Sequence, residues 1–379
     1  MSLARQPAYR LFLMLLIGCA LVVGDEQLAY AGSLPGAWLL SVLLLAATAI
    51  PAGLIIYRFD QFEPEPASLI AVALLWGGIV ALTFAAITNS YSLSFLQHVL
   101  SSTTVDSWGA AIVAPINEEL YKGAGLVMIY LMARTEFDGL MDGLIYGAMI
   151  GLGFQVVENM QYFVHAAAES GAGQLGAVVS TYFLRVVIAG LYSHILFSGL
   201  MGFGFAYAVT KPDVPRPRRL GVAAFFVLLA WAAHFVWNSP WLESFTGLGA
   251  ESFVLALAVK GLPFLFFLAI LALVARRREQ QAFARLVAVE VGSDVLSEEE
   301  FRILQSGRRR RAARRQIRRS KGPGAQLLLK RLQREQMNLA LFHTKIRESD
   351  HPALEAQRDK IRELRAKLSV APAGPRPSS

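Results

Sequence analysis

Four stretches of this 379-residue sequence place ionisable or strongly polar side chains inside runs that are otherwise apolar. The first reads Trp108-Gly-Ala-Ala-Ile-Val-Ala-Pro115-Ile-Asn117-Glu118-Glu119-Leu-Tyr121-Lys122. The second carries Phe154, Gln155, Glu158 and Asn159, the third His194, and the fourth His234 and Asn238. A charged residue at the centre of a membrane helix costs about 2.5–3.5 kcal/mol. Glu118, Glu119, Lys122 and Glu158 together would cost on the order of 10 kcal/mol if charged and unpaired. A plain membrane anchor has no reason to carry them. Buried glutamates beside imidazoles are suited to taking a proton from water and returning it. A His and an Asn on one helix face can supply donors to a developing oxyanion. That chemistry is hydrolysis of an amide held in the membrane.

Helical spacing relates these residues. Glu118 and Lys122 are four apart and share a face, with the acid first, the order that favours an intrahelical ion pair. Glu119 lies three before Lys122, so the lysine can reach either acid. Gly139, Gly143, Gly147 and Gly151 recur every four residues, a small-residue ridge against which another helix can pack closely. At 100° per residue Glu158 falls about 20° from the line through Gly147, so it points along that ridge into the bundle. His234 and Asn238 again share a face.

The elements that position these groups are membrane spans. The chain is 55% apolar and only 17% charged, against about 25% charged in soluble domains; its mean hydropathy is +0.45. A bilayer-crossing helix needs about 20 mostly apolar residues. Eight segments are candidates, roughly 9–24, 34–57, 67–88, 108–133, 140–164, 178–209, 219–240 and 251–275, the first of them short. The fold class is therefore all-α: a polytopic membrane bundle of about eight helices over 1–275, followed by a basic helical tail over 276–379. Residues 1–275 hold 11 Lys and Arg against 16 Asp and Glu, whereas the tail holds 25 against 12. The single cysteine, Cys19, excludes an intramolecular disulfide framework and a cysteine-rich zinc site, and is read as a packing residue.

Alternate connections, 25–33, 89–107, 165–177 and 241–250, contain no Lys or Arg. The other set holds Arg5, Arg10, Arg58, Arg134, Lys211, Arg216, Arg218, Arg219 and the tail. The positive-inside rule then puts both termini in the cytoplasm and the polar groups in the outer half of the bilayer. Trp38, Trp108, Trp237 and Trp241 fall at the outer ends, as an interfacial belt requires. The first span is read as an uncleaved helix, although Ala29-Tyr30-Ala31 resembles a signal-peptidase site. Arg185 and Lys260 are read as snorkelling to the outer surface, and His98 and His165 as solvated. His343 and His351 lie in the tail, away from this chemistry.

The ordered set Glu118-Glu119-Leu-Tyr-Lys122, Phe154-x-x-x-Glu158-Asn159, His194 and His234-x-x-x-Asn238 resembles the PrsW family, over roughly residues 70–245. That family belongs to a superfamily of intramembrane proteases that includes the CAAX prenyl endopeptidases. The resemblance implies a multi-spanning peptidase, in a bacterial plasma membrane, that cuts membrane-associated proteins, with anti-sigma factors as one substrate class. It implies that Glu118 activates water, that Glu119 with Lys122 orients it, and that His234 with Asn238 stabilises the oxyanion. The prenyl endopeptidase pattern has histidine where this chain has Glu158, which leaves His194 to share the water-activating role. The favoured reading needs no cofactor. The alternative is a zinc protease with Glu119, Glu158, His194 and His234 as ligands, acceptable donor types for zinc, although no His-Glu-x-x-His pair accompanies them. A proton-coupled transporter, which also uses midplane carboxylates, is the alternative of another class.

In the tail, Ser297-Glu-Glu-Glu300 has the form of a capping box. Residues 308–321 carry nine cations in fourteen positions. Charged helices are expected over 325–348 and 353–368, and disorder over the last ten residues. The basic segment from Arg308 to Lys321 suits anionic lipid or a cytoplasmic partner. Nucleic acid is disfavoured, because no aromatic pattern accompanies the arginines.

Overall fold

The structure, a computed structural model, describes residues 6–59, 65–134, 137–188, 192–241, 250–345 and 351–370. The last nine residues, and with them nearly all of the segment expected to be disordered, lie outside the described residues, as do Arg5 and most of the 241–250 connection. Among the described residues the chain is helical, its one extended pairing being an isolated bridge between Val291 and Leu296. It forms two compact units, which divide between Ala275 and Arg276.

The first unit is a bundle. Its helices are α1 (Pro7–Ser33), α2 (Pro35–Tyr57), α3 (Ala67–Leu75), α4 (Leu82–Val99), α5 (Ser102–Met132), α6 (Leu140–Glu169), α7 (Gln174–Tyr182), α8 (Ser193–Thr210), α9 (Arg216–Asn238) and the first part of α10 (Ala250–Val287). A π-helical turn, Trp76–Ala81, joins α3 to α4, and a second, Phe183–Ile188, follows α7. By length and composition α1, α2, the α3–α4 run, α6, the α7–α8 run, α9 and α10 are apolar enough to cross a membrane. The remaining long helix is α5; Glu118, Glu119 and Lys122 lower its apolar character, and it packs among the others, against α4, α6, α8 and α9. Large apolar side chains such as Met14, Leu21 and Leu28 on α1 are more than half exposed, the surface that a lipid-facing helix presents.

Three expected connections are largely helical. α1 continues through Asp25 and Glu26 to Ser33, α4 runs to Val99 with α5 beginning at Ser102, and α6 runs to Glu169 with α7 beginning at Gln174. Hydropathy marks where apolar surface ends, while the helix itself needs only backbone hydrogen bonds. Glu26 stays in α1 because it accepts hydrogen bonds from Tyr30 (2.8 Å) and from Gln161 of α6 (2.9 Å). The sixth expected span, 178–209, is not one helix but α7, the π-helical turn and α8.

α6 lies at the centre and is buried along most of its length. Its start is fixed by Asp142, whose carboxylate accepts from the backbone N–H groups of Asp138 (2.8 Å) and Gly139 (2.6 Å). Its glycine ridge meets α8: a Cβ at Gly143, Gly147 or Gly151 would run into the carbonyl of Gly202, Ser198 or His194. Those three partners are themselves spaced by four. Gly139 caps the helix and is outside the contact. The close approach of two backbones sets the height of His194 against Glu158.

The second unit comprises the end of α10, α11 (Glu298–Leu304), α12 (Gly307–Lys345) and α13 (Pro352–Val370). Ser297 and Glu300 form the expected capping box, with the Glu300 N–H donating to Ser297 Oγ (3.2 Å) and the Ser297 N–H to Glu300 Oε2 (2.9 Å). α12 is interrupted at Gly322, whose φ of 82° is left-handed, immediately before Pro323.

Candidate active site

The site forms where α5, α6, α8 and α9 meet. α5 is N-capped by Ser101, which accepts from the Thr104 N–H (3.2 Å). It is fixed beside the charged residues by the Trp76 indole, which donates to the carbonyl of Tyr121 (2.8 Å), between Glu119 and Lys122. Lys122 is fully buried. Its Nζ lies 3.0 Å from Glu118 Oε2, 3.0 Å from Glu119 Oε1 and 2.8 Å from His194 Nδ1. It also sits 4.0 Å over the ring of Phe154, a cation–π contact that offsets desolvation. The ion pairing anticipated from the spacing of α5 is therefore present, and Lys122 serves both acids at once.

Two histidines extend this centre. His194 Nε2 is 3.1 Å from Glu158 Oε2, and His234 Nδ1 is 3.0 Å from Glu119 Oε1. The partners assign the tautomers. An ammonium only donates, so His194 Nδ1 accepts from Lys122 and Nε2–H donates to Glu158. Glu119 accepts, so His234 carries its proton on Nδ1. Its Nε2 lies 3.8 Å from Glu118 Oε2. The ring of Phe197 stacks on His234 with centroids 4.6 Å apart.

A cavity of about 700 Å³ opens beside the network, and Glu118, Glu158, His194, His234 and Asn238 all line it. Glu119 and Lys122 stand behind them, outside the lining. All seven residues singled out in the sequence thus converge, in two ranks. The front rank faces the space where a substrate would lie; the rear pair holds Glu118 and His234.

Sequence reasoning missed two groups. Arg185, expected at the outer surface, instead turns into the cavity. Its Nη2 donates to Glu158 Oε2 (3.0 Å), its Nε donates to Asn159 Oδ1 (2.9 Å), and its guanidinium stacks 3.5 Å from the ring centre of Tyr162. An arginine inside an apolar segment was the available signal. Its partners, 26 and 27 positions away on another helix, were not readable. The other group is Asn89 of α4, which lines the cavity, donates to Glu118 Oε1 (3.4 Å) and accepts from Asn117 (3.0 Å). Lys260 is likewise buried, donating to the carbonyl of Ser239, because a cation in a bundle can satisfy itself on a helix-terminal carbonyl. His165 is exposed as expected but borders the cavity and pairs with the Tyr30 hydroxyl (2.9 Å).

The donor set also fits a divalent metal. Glu118, Glu119, His194 and His234 each offer one ligand atom, all within 4.8 Å of one another. Glu119 Oε2 is buried without a hydrogen-bond partner. Glu118 occupies the place given to Glu158 in the sequence-based ligand set, since Glu158 is taken up by Arg185 and His194. The Nδ1–H of His234 held by a carboxylate is the arrangement that aims Nε2 at a metal.

Such a bundle, with buried carboxylates and imidazoles around an internal polar cavity, has the groups that hydrolysis within a membrane requires. Comparison with known proteins gives the family: residues 65–274 match the model described as PrsW family intramembrane metalloprotease, and the chain belongs to that family. It is an integral membrane peptidase. A protein named Protease PrsW from Geobacillus kaustophilus is 29% identical over 219 residues, 57% of this chain and 79% of the relative. Proteins of the same name from Oceanobacillus iheyensis and Bacillus subtilis are each 28% identical, over 60% and 36% of this chain and 89% and 59% of their own lengths. No solved structure matches the chain.

Proposed function

We propose that the protein is an endopeptidase that hydrolyses peptide bonds of membrane-associated proteins, anti-sigma factors being one candidate class, with Glu118 as the general base. The observation that supports this is the division of Glu118 itself. Oε2 is held by Lys122, while the residue faces the cavity with only Asn89 against Oε1. In this reading Glu118 takes a proton as water adds to the scissile carbonyl. The Asn238 amide donates to the oxyanion, and Glu118 returns the proton to the leaving amine as the C–N bond breaks. Glu119 and Lys122 orient the base, and Glu158 holds His194. With its Nδ1–H engaged by Glu119, His234 has Nε2 left for the cavity, and it donates to an oxyanion in the form that carries a proton there. The favoured topology keeps both termini in the cytoplasm of a bacterial cell, with the cavity in the outer half of the inner membrane. Reporter fusions at either end test that placement.

The clustered ligand atoms and the unpartnered Glu119 Oε2 favour a second reading, in which Glu118, Glu119, His194 and His234 hold zinc. A bound zinc ion supplies Lewis-acid polarisation and an acidified water. In either reading the protein residues position the substrate and exclude bulk water.

The test is Glu118→Gln in a reconstituted cleavage assay, alongside metal analysis of the purified protein. Loss of about 10²–10⁴-fold in turnover is expected of a lost general base, with the folded yield retained because glutamine still accepts from Lys122. Full activity in the folded variant overturns the assignment. One bound zinc per chain, with activity lost to chelator and restored by zinc, selects the metal reading. Metal-free activity indifferent to chelator selects the glutamate reading.

A further inference from the structure

The nine cations of residues 308–321 are not equivalent in the folded second unit. Arg310 is buried and donates to the carbonyl of Leu304. Lys321 reaches the carbonyls of Leu368 and Ser369, each at 3.2 Å. Arg309 donates to the carbonyl of Arg302 (3.2 Å). These three serve the fold. The unit has apolar cores of its own, with Phe283, Val287, Leu296 and Leu304 in one and Leu332, Leu339, Leu354 and Ile361 in the other.

Several acids of the unit pair with other cations. Glu290 pairs with Arg358 (2.6 Å) and His343 (2.9 Å), Asp294 with Arg362 (2.7 Å), Glu335 with Lys360 (3.0 Å) and Glu300 with Arg365. Six arginines remain: Arg308, Arg311, Arg314, Arg315, Arg318 and Arg319. Among the described residues no acid pairs with them, and all but the half-buried Arg314 are exposed. At 100° per residue they fall within an arc of about 140°, along about 16 Å of helix. The buried Arg310 and the half-buried Ala313 and Ile317 occupy the opposite side. A two-faced helix results, one face built into the unit and the other a strip of unmatched positive charge.

We propose that this strip lies on the anionic phospholipid headgroups of the membrane in which the protein is embedded. Two observations favour lipid over nucleic acid. The face carries no aromatic side chain on which bases could stack. The strip also follows an apolar helix in the same chain: the membrane part of α10 ends near Ala275, Arg276-Arg277-Arg278 follow, and Arg308 is thirty positions further on. Headgroups are thus always present at high local concentration, and anionic ones attract each lysine or arginine near the surface.

The full-length protein tests this. Ala312→Cys, in a Cys19→Ser background, carries an environment-sensitive fluorophore at the edge of the strip. The protein is reconstituted in phosphatidylcholine alone or mixed with phosphatidylglycerol, with a headgroup spin label as quencher. The expected result is strong quenching only with phosphatidylglycerol, reversed as salt is raised from 0.1 to 1 M, where the screening length falls from about 10 Å to about 3 Å. Replacing the six arginines by glutamine, with Arg310 and Lys321 kept, should reduce quenching to the phosphatidylcholine level. Equal quenching in both lipids, or none in either, overturns the proposal. So does a probe indifferent to phosphatidylglycerol that responds to a duplex RNA oligonucleotide. The salt response of the unmutated strip keeps the test decisive if the sixfold variant misfolds.

Discussion

Replacement of Lys122 by methionine separates a charge role from a packing role at the centre of the network. Lys122 makes buried ion pairs of 3.0 Å to both Glu118 and Glu119 and a 2.8 Å contact to His194. Methionine fills nearly the same volume but leaves two buried carboxylates without their shared cation. Removing one partner of a buried pair costs about 3–5 kcal/mol. At about 2–4 °C per kcal/mol for a unit of this size, Lys122→Met should lower the melting temperature by about 6–20 °C. The double variant Lys122→Met/Glu119→Gln removes a negative charge with the positive one, while glutamine still accepts from His234. It should recover much of the loss. Thermal unfolding in one detergent, followed by intrinsic tryptophan fluorescence, gives both values. A single variant that melts with the wild type would show that Lys122 does not neutralise these acids. A double variant as unstable as the single would show that the loss is packing rather than charge. Either result refutes the electrostatic account of the rear rank.

Three further outcomes are expected. Arg185→Lys can still reach Glu158 but cannot also hold Asn159, so cleavage should fall about tenfold, with Arg185→Gln lower still; the measure is kcat against KM for the two variants, and equal rates would deny Arg185 a positioning role. Gly151→Val drives a side chain into the His194 carbonyl and should destabilise the bundle by about 1–3 kcal/mol, whereas Gly24→Ala, in open space on α1, should leave melting unchanged. In the second unit Asp294 is held below the usual carboxylate range by its hydrogen bond to Arg362, and Glu355 by those to Arg358 and Arg362. A carboxyl lowered on folding stabilises above its unfolded value, about 4, and ceases to do so as pH falls through the folded value. Protection of α13 against hydrogen exchange, taken relative to the intrinsic rate at each pH, should therefore fall below about pH 4, and unchanged protection there would contradict these pairings.

The parts of the site legible in the sequence were those governed by local geometry. Glu118, Glu119 and Lys122 lie within one turn and a quarter of a helix, so spacing alone put them together. The glycine ridge announced that another backbone would pass close to the Glu158 face of α6. What local geometry could not give was the partner of a residue on a distant helix. Arg185 looked like a snorkelling residue because hydropathy supplies depth and not neighbours. The π-helical turn that carries it has no sequence signature. Asn89 was missed because it sat in a stretch read as an outer connection, whereas α4 continues through it. The same cause displaced Glu158 in the zinc alternative. Its candidacy rested on residue type, and only the positions of Arg185 and His194 show that its Oε2 is engaged.

Charge arithmetic then distinguishes the three glutamates. The network holds three carboxylates and two permanent cations, so, the imidazoles apart, its fixed charges leave one negative charge over. Glu158 has Arg185 to itself and receives the His194 N–H as well. Glu119 receives both Lys122 and the His234 N–H on Oε1. Glu118 shares Lys122 with Glu119 and otherwise has only the longer 3.4 Å bond from Asn89. It is the least compensated of the three, and of the α5 pair it is the one facing the cavity. A proton taken from water or a divalent cation would both be drawn to that excess charge, which is why the two mechanistic readings converge on Glu118. Arg185 matters for the same reason: by neutralising Glu158 it leaves the unbalanced charge on Glu118 rather than shared across the cavity wall.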